Sequence, residues 1–227
     1  MEAINSFLQI QEIVLNKRFS REQLECTYSR AKEILEITKD FEINSKDFKE
    51  YKMEFDFMHF VFIDRRSLWR FPVSIQDFGH DLYYLIIVCN TKQLSEFNFD
   101  HGEVFCVDHK SNMTSLPMDK ELYTSFRDEF LEGIGKDIRT STVNIITEYI
   151  YFNKDVVSAF RKDMNDADNP MIIKLICILE KCVGANKEND VVTHLSRPEN
   201  QNRLSLAFQQ NADLVNENFY DVGNMQP

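Results

Sequence analysis

Residues 82–89, Leu-Tyr-Tyr-Leu-Ile-Ile-Val-Cys, form an uninterrupted run of apolar and aromatic side chains in which no position is suited to face water. The run is far short of the roughly 18–20 residues that a membrane-spanning helix needs. It is rich in the β-branched and aromatic residues that favour extended chain. It is therefore predicted to be a central strand, and the rest of the chain has to supply its covers and its neighbours.

The neighbours are readable on both sides. Residues 52–57, "KMEFDF", alternate apolar and charged positions, and residues 58–63, "MHFVFI", are apolar on both sides before the polar "DRRS" turn, so a second strand is expected there. "LWRFPVSI" is broken by Pro72, which suits an edge strand or a bulge. "EVFCVD" (103–108) lies between two loops and gives another strand, and "HKSNMTSLP" ends at Pro117, where a helix can begin. Residues 118–135 then place Met118, Leu122, Phe126, Phe130 and Ile134 at four-residue steps, with Gly133 and Gly135 as stop signals, and predict a helix with a Phe-rich inner face.

Two amphipathic helices are predicted at the start of the chain, over residues 2–17 and from Ser20, whose spacing to Gln23 is that of a capping box. Beyond residue 140, "TVNIITEYIYF", "DVVSAFRKDM" and "PMIIKLICILEKCVG" read as three further segments, the first compatible with a strand and the last bounded by Pro170 and Gly184. Residues 185–227 hold eight asparagines and few large apolar side chains; a loosely attached or partner-ordered tail is expected, with one helix around "RLSLAFQQNADLVNENF". The fold class that follows is α+β, an antiparallel sheet flanked by N-terminal helices and a C-terminal helical part. The expected division is a domain over 1–135, a helical extension packed on it over 136–184, and a polar tail over 185–227. Phe55, Phe57, Phe60, Phe62, Leu85, Ile87, Phe105, Phe126 and Phe130 are the expected core.

At 227 residues the chain is long enough to bury a core without staples. Its five cysteines are odd in number and four lie in apolar runs, which argues for reduced thiols and a cytoplasmic location. No secretory leader and no long apolar span is readable. The net charge of −11 disfavours nucleic acid and anionic membranes as partners, and residues 76–132, with eleven acidic against four basic side chains, supply most of it.

Three groups of residues invite a chemical reading. "FDHGEVFCVDHK" (99–110) offers two histidines, a cysteine and two aspartates, but along an extended strand His101 and His109 stand roughly 26 Å apart and cannot share an ion. His59, His80, Asp81 and Asp108 follow the ligand order of metal-dependent phosphohydrolases, whose ligands need helices, whereas here they fall in or beside β-prone runs. Arg65, Arg66 and Arg70 surround Trp69 in the chain's one basic and aromatic cluster, which suits an acidic peptide, a base, or simply a hairpin turn with a half-buried Trp. A Gly-rich phosphate loop, a Gly-x-Ser-x-Gly elbow and a Cys-x-x-Cys pair are all absent from the sequence.

Taken in order, "FPVSIQDFGHDLYYLIIVCN", "GEVFCVDHK" and "YTSFRDEFLEGIG" resemble the signature of the SUKH superfamily, which includes bacterial immunity proteins and fungal cell-wall regulators. The marks fall on Phe71, Pro72, Asp81, Leu82, Tyr83, Tyr84, Gly102, Val104, Phe105, Asp108, His109, Ser125, Phe126, Phe130 and Leu131, over roughly residues 68–135. The Leu-Pro and Asn-Gly-Gly marks usual after the N-terminal helices are missing, and about 90 residues follow where many members end. The resemblance implies a SUKH-like α+β fold and a non-catalytic function: an immunity protein that neutralises a basic toxin, nucleases being one class, by covering its active or substrate-binding surface. Alternatives are a regulatory or scaffold protein of the same fold, and a metal-dependent phosphohydrolase. The leading reading expects no cofactor, no metal and no enzymatic activity. It expects a protein partner, with neither nucleic acid nor membrane bound, and contacts through Asp77, Asp81, Glu96, Asp100, Asp108 and Trp69.

Overall fold

The computed structural model describes residues 18–19, 31, 33, 40–52, 54–75, 81–137, 146–163, 171–177, 203–209, 219–220 and 224–226, and all structural statements concern these. They form a mixed α+β structure with two antiparallel sheets and a few helices. The larger sheet has six strands in the order β11-β7-β3-β4-β5-β6: β11 (Asn224–Gln226), β7 (Tyr149–Asn153), β3 (Phe57–Asp64), β4 (Leu82–Cys89), β5 (Glu103–Val107) and β6 (Met113–Ser115). The smaller has five, in the order β1-β10-β9-β8-β2: β1 (Arg18–Phe19), β10 (Phe219–Tyr220), β9 (Leu204–Gln209), β8 (Met171–Cys177) and β2 (Phe41–Ile43).

The apolar run that opens the sequence is β4, a central strand with all eight residues buried. It pairs along its whole length with β3, from Phe57 opposite Cys89 to Asp64 opposite Leu82. The two sheets meet through rings: Phe208 of β9 packs 5.4 Å from Phe60 and 4.8 Å from Phe152, and Phe41 of β2 lies 4.7 Å from Tyr84. Each such side chain contributes about 1.5–3 kcal/mol on burial, so Phe208 fastens the smaller sheet onto the larger.

Among the helices are α1 (Ser45–Glu50), α2 (Lys120–Glu132), α3 (Ile134–Asp137) and α4 (Lys154–Asp163). Asp119 starts α2 by accepting the Leu122 amide at 2.7 Å, and Gly133 ends it, its amide bonded to the Glu129 and Phe130 carbonyls at 2.9 and 3.2 Å. Phe126 and Phe130, from the expected four-residue period, are buried in α2 together with Tyr123, while Met118, Leu122 and Ile134 are half-buried.

The structure departs from the sequence expectations in five places. "KMEFDF" is not extended throughout, since β3 begins only at Phe57, and Phe55, Phe57 and Phe105 are half-buried while the other six expected core residues are buried. The edge strand or bulge expected over 68–75 is not formed: the expected "DRRS" turn runs on as a 3-10 turn over residues 65–70, started by Asp64, which accepts the Arg66 amide at 2.9 Å, and only Ile75 makes a strand-like bridge, to Asp108. The described residues of the expected helical extension over 136–184 hold two strands, β7 and β8, beside the helix α4. The expected helix near residue 204 is β9, and Leu204, Leu206 and Phe208 are buried in it, so that part of the expected tail belongs to the core. Trp69, read either as a half-buried turn residue or as a partner contact, is exposed, which departs from the first of these. Most of the two N-terminal helices, His80 and Asp77 lie outside the described residues.

Candidate functional site

Trp69 is 78% exposed, the only large apolar side chain so placed among the described residues. It is held on a clamped element. The buried Ser67 donates to Glu129 Oε2 at 2.7 Å, and Arg70 pairs with Glu129 Oε1 and donates to Ser125 Oγ at 3.0 Å. The Arg70 guanidinium lies against both the Trp69 ring, at 5.1 Å, and the Phe126 ring, at 5.3 Å. Arg66 forks onto Asp64 at 2.9 and 3.0 Å and also reaches the Glu129 carbonyl at 2.8 Å. Asp64 in turn accepts the Ile134 amide at 3.0 Å. Burial alone would raise the Asp64 carboxyl, but the Arg66 and Ile134 donors win and hold it below its ordinary value. The 3-10 turn and α2 therefore form one rigid unit with an indole standing out of it.

On the same side of α2, Glu121, Asp128 and Glu132 are exposed. Their spacings of seven and four residues put them in one stripe of a helix with about 3.6 residues per turn, next to the row through Ser125 and Glu129 that grips the turn. The stripe lies within the acidic stretch 76–132, on a helix and not on the loops from which the acidic contacts were expected. The signal was the spacing.

The loop carboxylates expected to form one face are divided. Asp81 precedes β4 and lies beside the 3-10 turn, with Arg65 at 3.9 Å and the Asp81 carbonyl bonded to the Arg65 amide at 2.9 Å. Glu96 and Asp100 are exposed beyond the other end of β4, eight strand residues away, or roughly 26 Å. Asp108 is engaged by its own loop, accepting the Lys110 amide at 2.8 Å, the Asn112 amide at 2.9 Å and Asn112 Nδ2 at 3.1 Å. Trp69 and Asp81 are thus together, Glu96 and Asp100 form a separate pair, and Asp108 shapes a turn.

The hydrolase constellation is also dispersed. His59 is fully buried in β3, opposite Ile87, while Asp81 lies beyond the far end of β4. Its Nδ1 is 3.3 Å from the Ile87 carbonyl and 3.8 Å from Cys89 Sγ, and its Nε2 is 3.4 Å from the Lys92 carbonyl. Burial pulls its pKa down to about 4, against the pull of the two carbonyls, so the ring is neutral at pH 7. Cys89 donates to the Thr91 carbonyl at 3.4 Å, and burial raises its pKa, so the thiol beside His59 stays protonated and out of reach of solvent. His101 and His109 stand at opposite ends of β5. Among the described residues, no group of three or more His, Cys, Asp or Glu is placed to hold a metal ion, and no helix is long and apolar enough to cross a membrane.

A cavity of about 320 Å³ opens on the opposite side of α2, between its first two turns and residues 94–99 and 148–149. No sequence motif announced it, because its lining comes from three distant segments; the nearest signal was the pair of phenylalanines in the polar loop "SEFNF". Comparisons with protein-family models, with curated proteins and with solved structures find no match to this chain.

Proposed function

We propose that this chain is a non-catalytic binding protein, an immunity-type inhibitor of the kind the SUKH resemblance implies, which covers a basic toxin domain with the surface around Trp69. The observation that carries the reading is the exposed indole on a clamped turn. Leaving a tryptophan in water forgoes burial energy, and a rigid aromatic anchor loses little freedom when a partner covers it, which is why tryptophan is enriched at interface hot spots. Glu121, Asp128, Glu132 and Asp81 around it match a partner with a phosphate-binding, cationic surface and speed its encounter. In this reading the acidic contact comes from α2 more than from the loops, with Asp81 beside the 3-10 turn taking part.

The test is capture from the native cell with the wild-type chain, Trp69→Ala and Asp128→Lys as baits, followed by kinetics with the captured protein. A basic partner whose affinity falls by about 2 kcal/mol or more in Trp69→Ala, some thirtyfold, is expected. Its association rate should fall with salt and with Asp128→Lys, while the melting temperatures of the baits stay the same. A partner indifferent to Trp69 and to salt overturns the proposal.

A further inference from the structure

We infer that the cavity beside the start of α2 is a binding site for a small aromatic acid, a one- or two-ring carboxylate. The walls are rings: Phe97 and Phe99 lie 4.4 Å apart, Phe99 and Tyr123 5.2 Å apart, and Tyr149 closes the inner side, its ring tilted against the buried His59 at 5.6 Å. The volume of about 320 Å³ is at the small end of the roughly 300–1,000 Å³ of ligand pockets.

The walls are fixed without a ligand. Gly102 is what lets Phe97 sit where it does, since a Cβ on residue 102 would come within 2.4 Å of Phe97 Cε2 and 2.8 Å of the Val88 carbonyl. Tyr149 is anchored through its hydroxyl, which accepts from the Leu94 amide and donates to the Lys92 carbonyl, both at 3.4 Å. The buried Glu148 is neutralised by Arg127, which donates through Nε and, at 2.8 Å, through Nη2.

Two polar features point inward and remain unused. Tyr123 is only 7% exposed and lines the cavity, yet its hydroxyl has no hydrogen-bond partner among the described residues. The hydroxyl opens onto the cavity, where a polar atom of a ligand can take the place of water as its partner. Arg127 keeps Nη1 free of Glu148, and Lys120 lies seven residues earlier on the same helix face, also lining the cavity. With Glu148 cancelling one of these two cations, the lining carries a net charge of about +1 within a chain of −11, the opposite of what solubility alone would place there. The ring of the ligand fits among the aromatic walls, its carboxylate meets Arg127 Nη1 and Lys120, and the Tyr123 hydroxyl bonds its edge.

The experiment is ligand-observed and heteronuclear NMR on the full chain with indole-3-carboxylate and 1-naphthoate, against their neutral carboxamides. Saturable binding of an acid is expected, with shifts confined to residues 94–102, 120–127 and 148–149. The carboxamide should bind about tenfold more weakly, and Tyr123→Phe should weaken the acid roughly fivefold. A filling variant at an exposed rim position, Thr124→Trp or Ser95→Trp, whichever gives the wild-type spectrum without ligand, should abolish binding. The inference is overturned if neither acid saturates by about 5 mM, weaker than the affinity of about 3 kcal/mol expected of even a fragment in a preformed pocket. It is equally overturned if acid and amide bind alike, or if the filled variant binds as the wild type does.

Discussion

Gly133→Ala adds one methyl group at the point where the polar junction between the 3-10 turn and α2 is tightest. A Cβ there would stand 2.0 Å from Arg66 Nη2, 2.1 Å from Asp64 Oδ2 and 2.8 Å from the Glu129 carbonyl. The backbone at Gly133 has φ −101°, so the objection to alanine is space and not handedness. Arg66 is exposed and can swing away, but Asp64 has a side chain only 6% exposed and holds the Ile134 amide. The carboxylate therefore has to shift, loosening a charge-assisted bond at the end of α2, or α2 has to move off β3. Overpacking costs about 1–3 kcal/mol, and the disturbed bond adds up to about as much, so a loss of roughly 2–4 kcal/mol is expected. At about 2–4 °C per kcal/mol for a chain of this size, the midpoint should fall by around 10 °C. Urea unfolding followed by far-ultraviolet circular dichroism is the suitable assay, because the sole tryptophan is already exposed in the native state and reports folding poorly. The acid limb gives a second readout. Asp64 has its folded pKa below the unfolded value of 3.8, so its stabilisation is present above that pH and disappears as the pH falls through the lower folded value. The variant should show less of this acid loss. In an Arg66→Ala background the cost of Gly133→Ala should shrink but persist, since Asp64 and the Glu129 carbonyl still crowd the methyl. A change below about 0.5 kcal/mol in the single variant, within the range of neutral surface substitutions, would refute the reasoning.

The buried His59 gives a second pH signature with its own window. Its folded pKa of about 4 lies below the ordinary 6.5, so the unfolded chain takes up a proton first, and stability should fall by about 3 kcal/mol between pH 6.5 and 4 and level off below. His59→Leu should flatten that slope, and equilibrium unfolding at a series of pH values checks it. Phe208→Ala removes the ring that meets Phe60 and Phe152 and should cost about 3–5 kcal/mol, with near-ultraviolet dichroism of the aromatic cluster lost first; a cost under 1 kcal/mol would mean that the two sheets are not fastened there.

What could be read from the sequence was whatever is decided locally. The run 82–89 had no polar position to turn to water, and the four-residue period from Met118 to Ile134 could only be a helix face, so β4 and α2 were legible. "MIIKLIC" and "LSLAFQ" were not, because short apolar runs suit a strand or a buried helix equally, and here long-range pairing decides: Ile173 opposite Phe208 and Leu175 opposite Leu206. The turn at "DRRS" was readable, but its 3-10 form running on to Arg70 was not, for a related reason. Its geometry is set by Asp64 and by Glu129, the latter some sixty residues away in the chain. Of the candidate surface, Trp69 and Asp81 were visible as residue types, while the acidic stripe of α2 and the aromatic cavity depend on which side of a helix faces which loop.

The register of the smaller sheet sets a timetable for synthesis. Arg18 is paired with Tyr220, and the ring of Phe208 that covers Phe60 and Phe152 comes from the same late stretch. At about 5–20 residues per second, the roughly 200 residues between these partners take on the order of 10–40 s to emerge from a ribosome. Over the last part of that interval, about 3–11 s between the emergence of Phe152 and that of Phe208, the nascent larger sheet presents an aromatic face without its Phe208 cover, and β8 waits without its β9 neighbour. Such a surface is a natural client for holding chaperones, and a stalled or prematurely released chain ending before β9 would be sticky in a way that the finished protein is not.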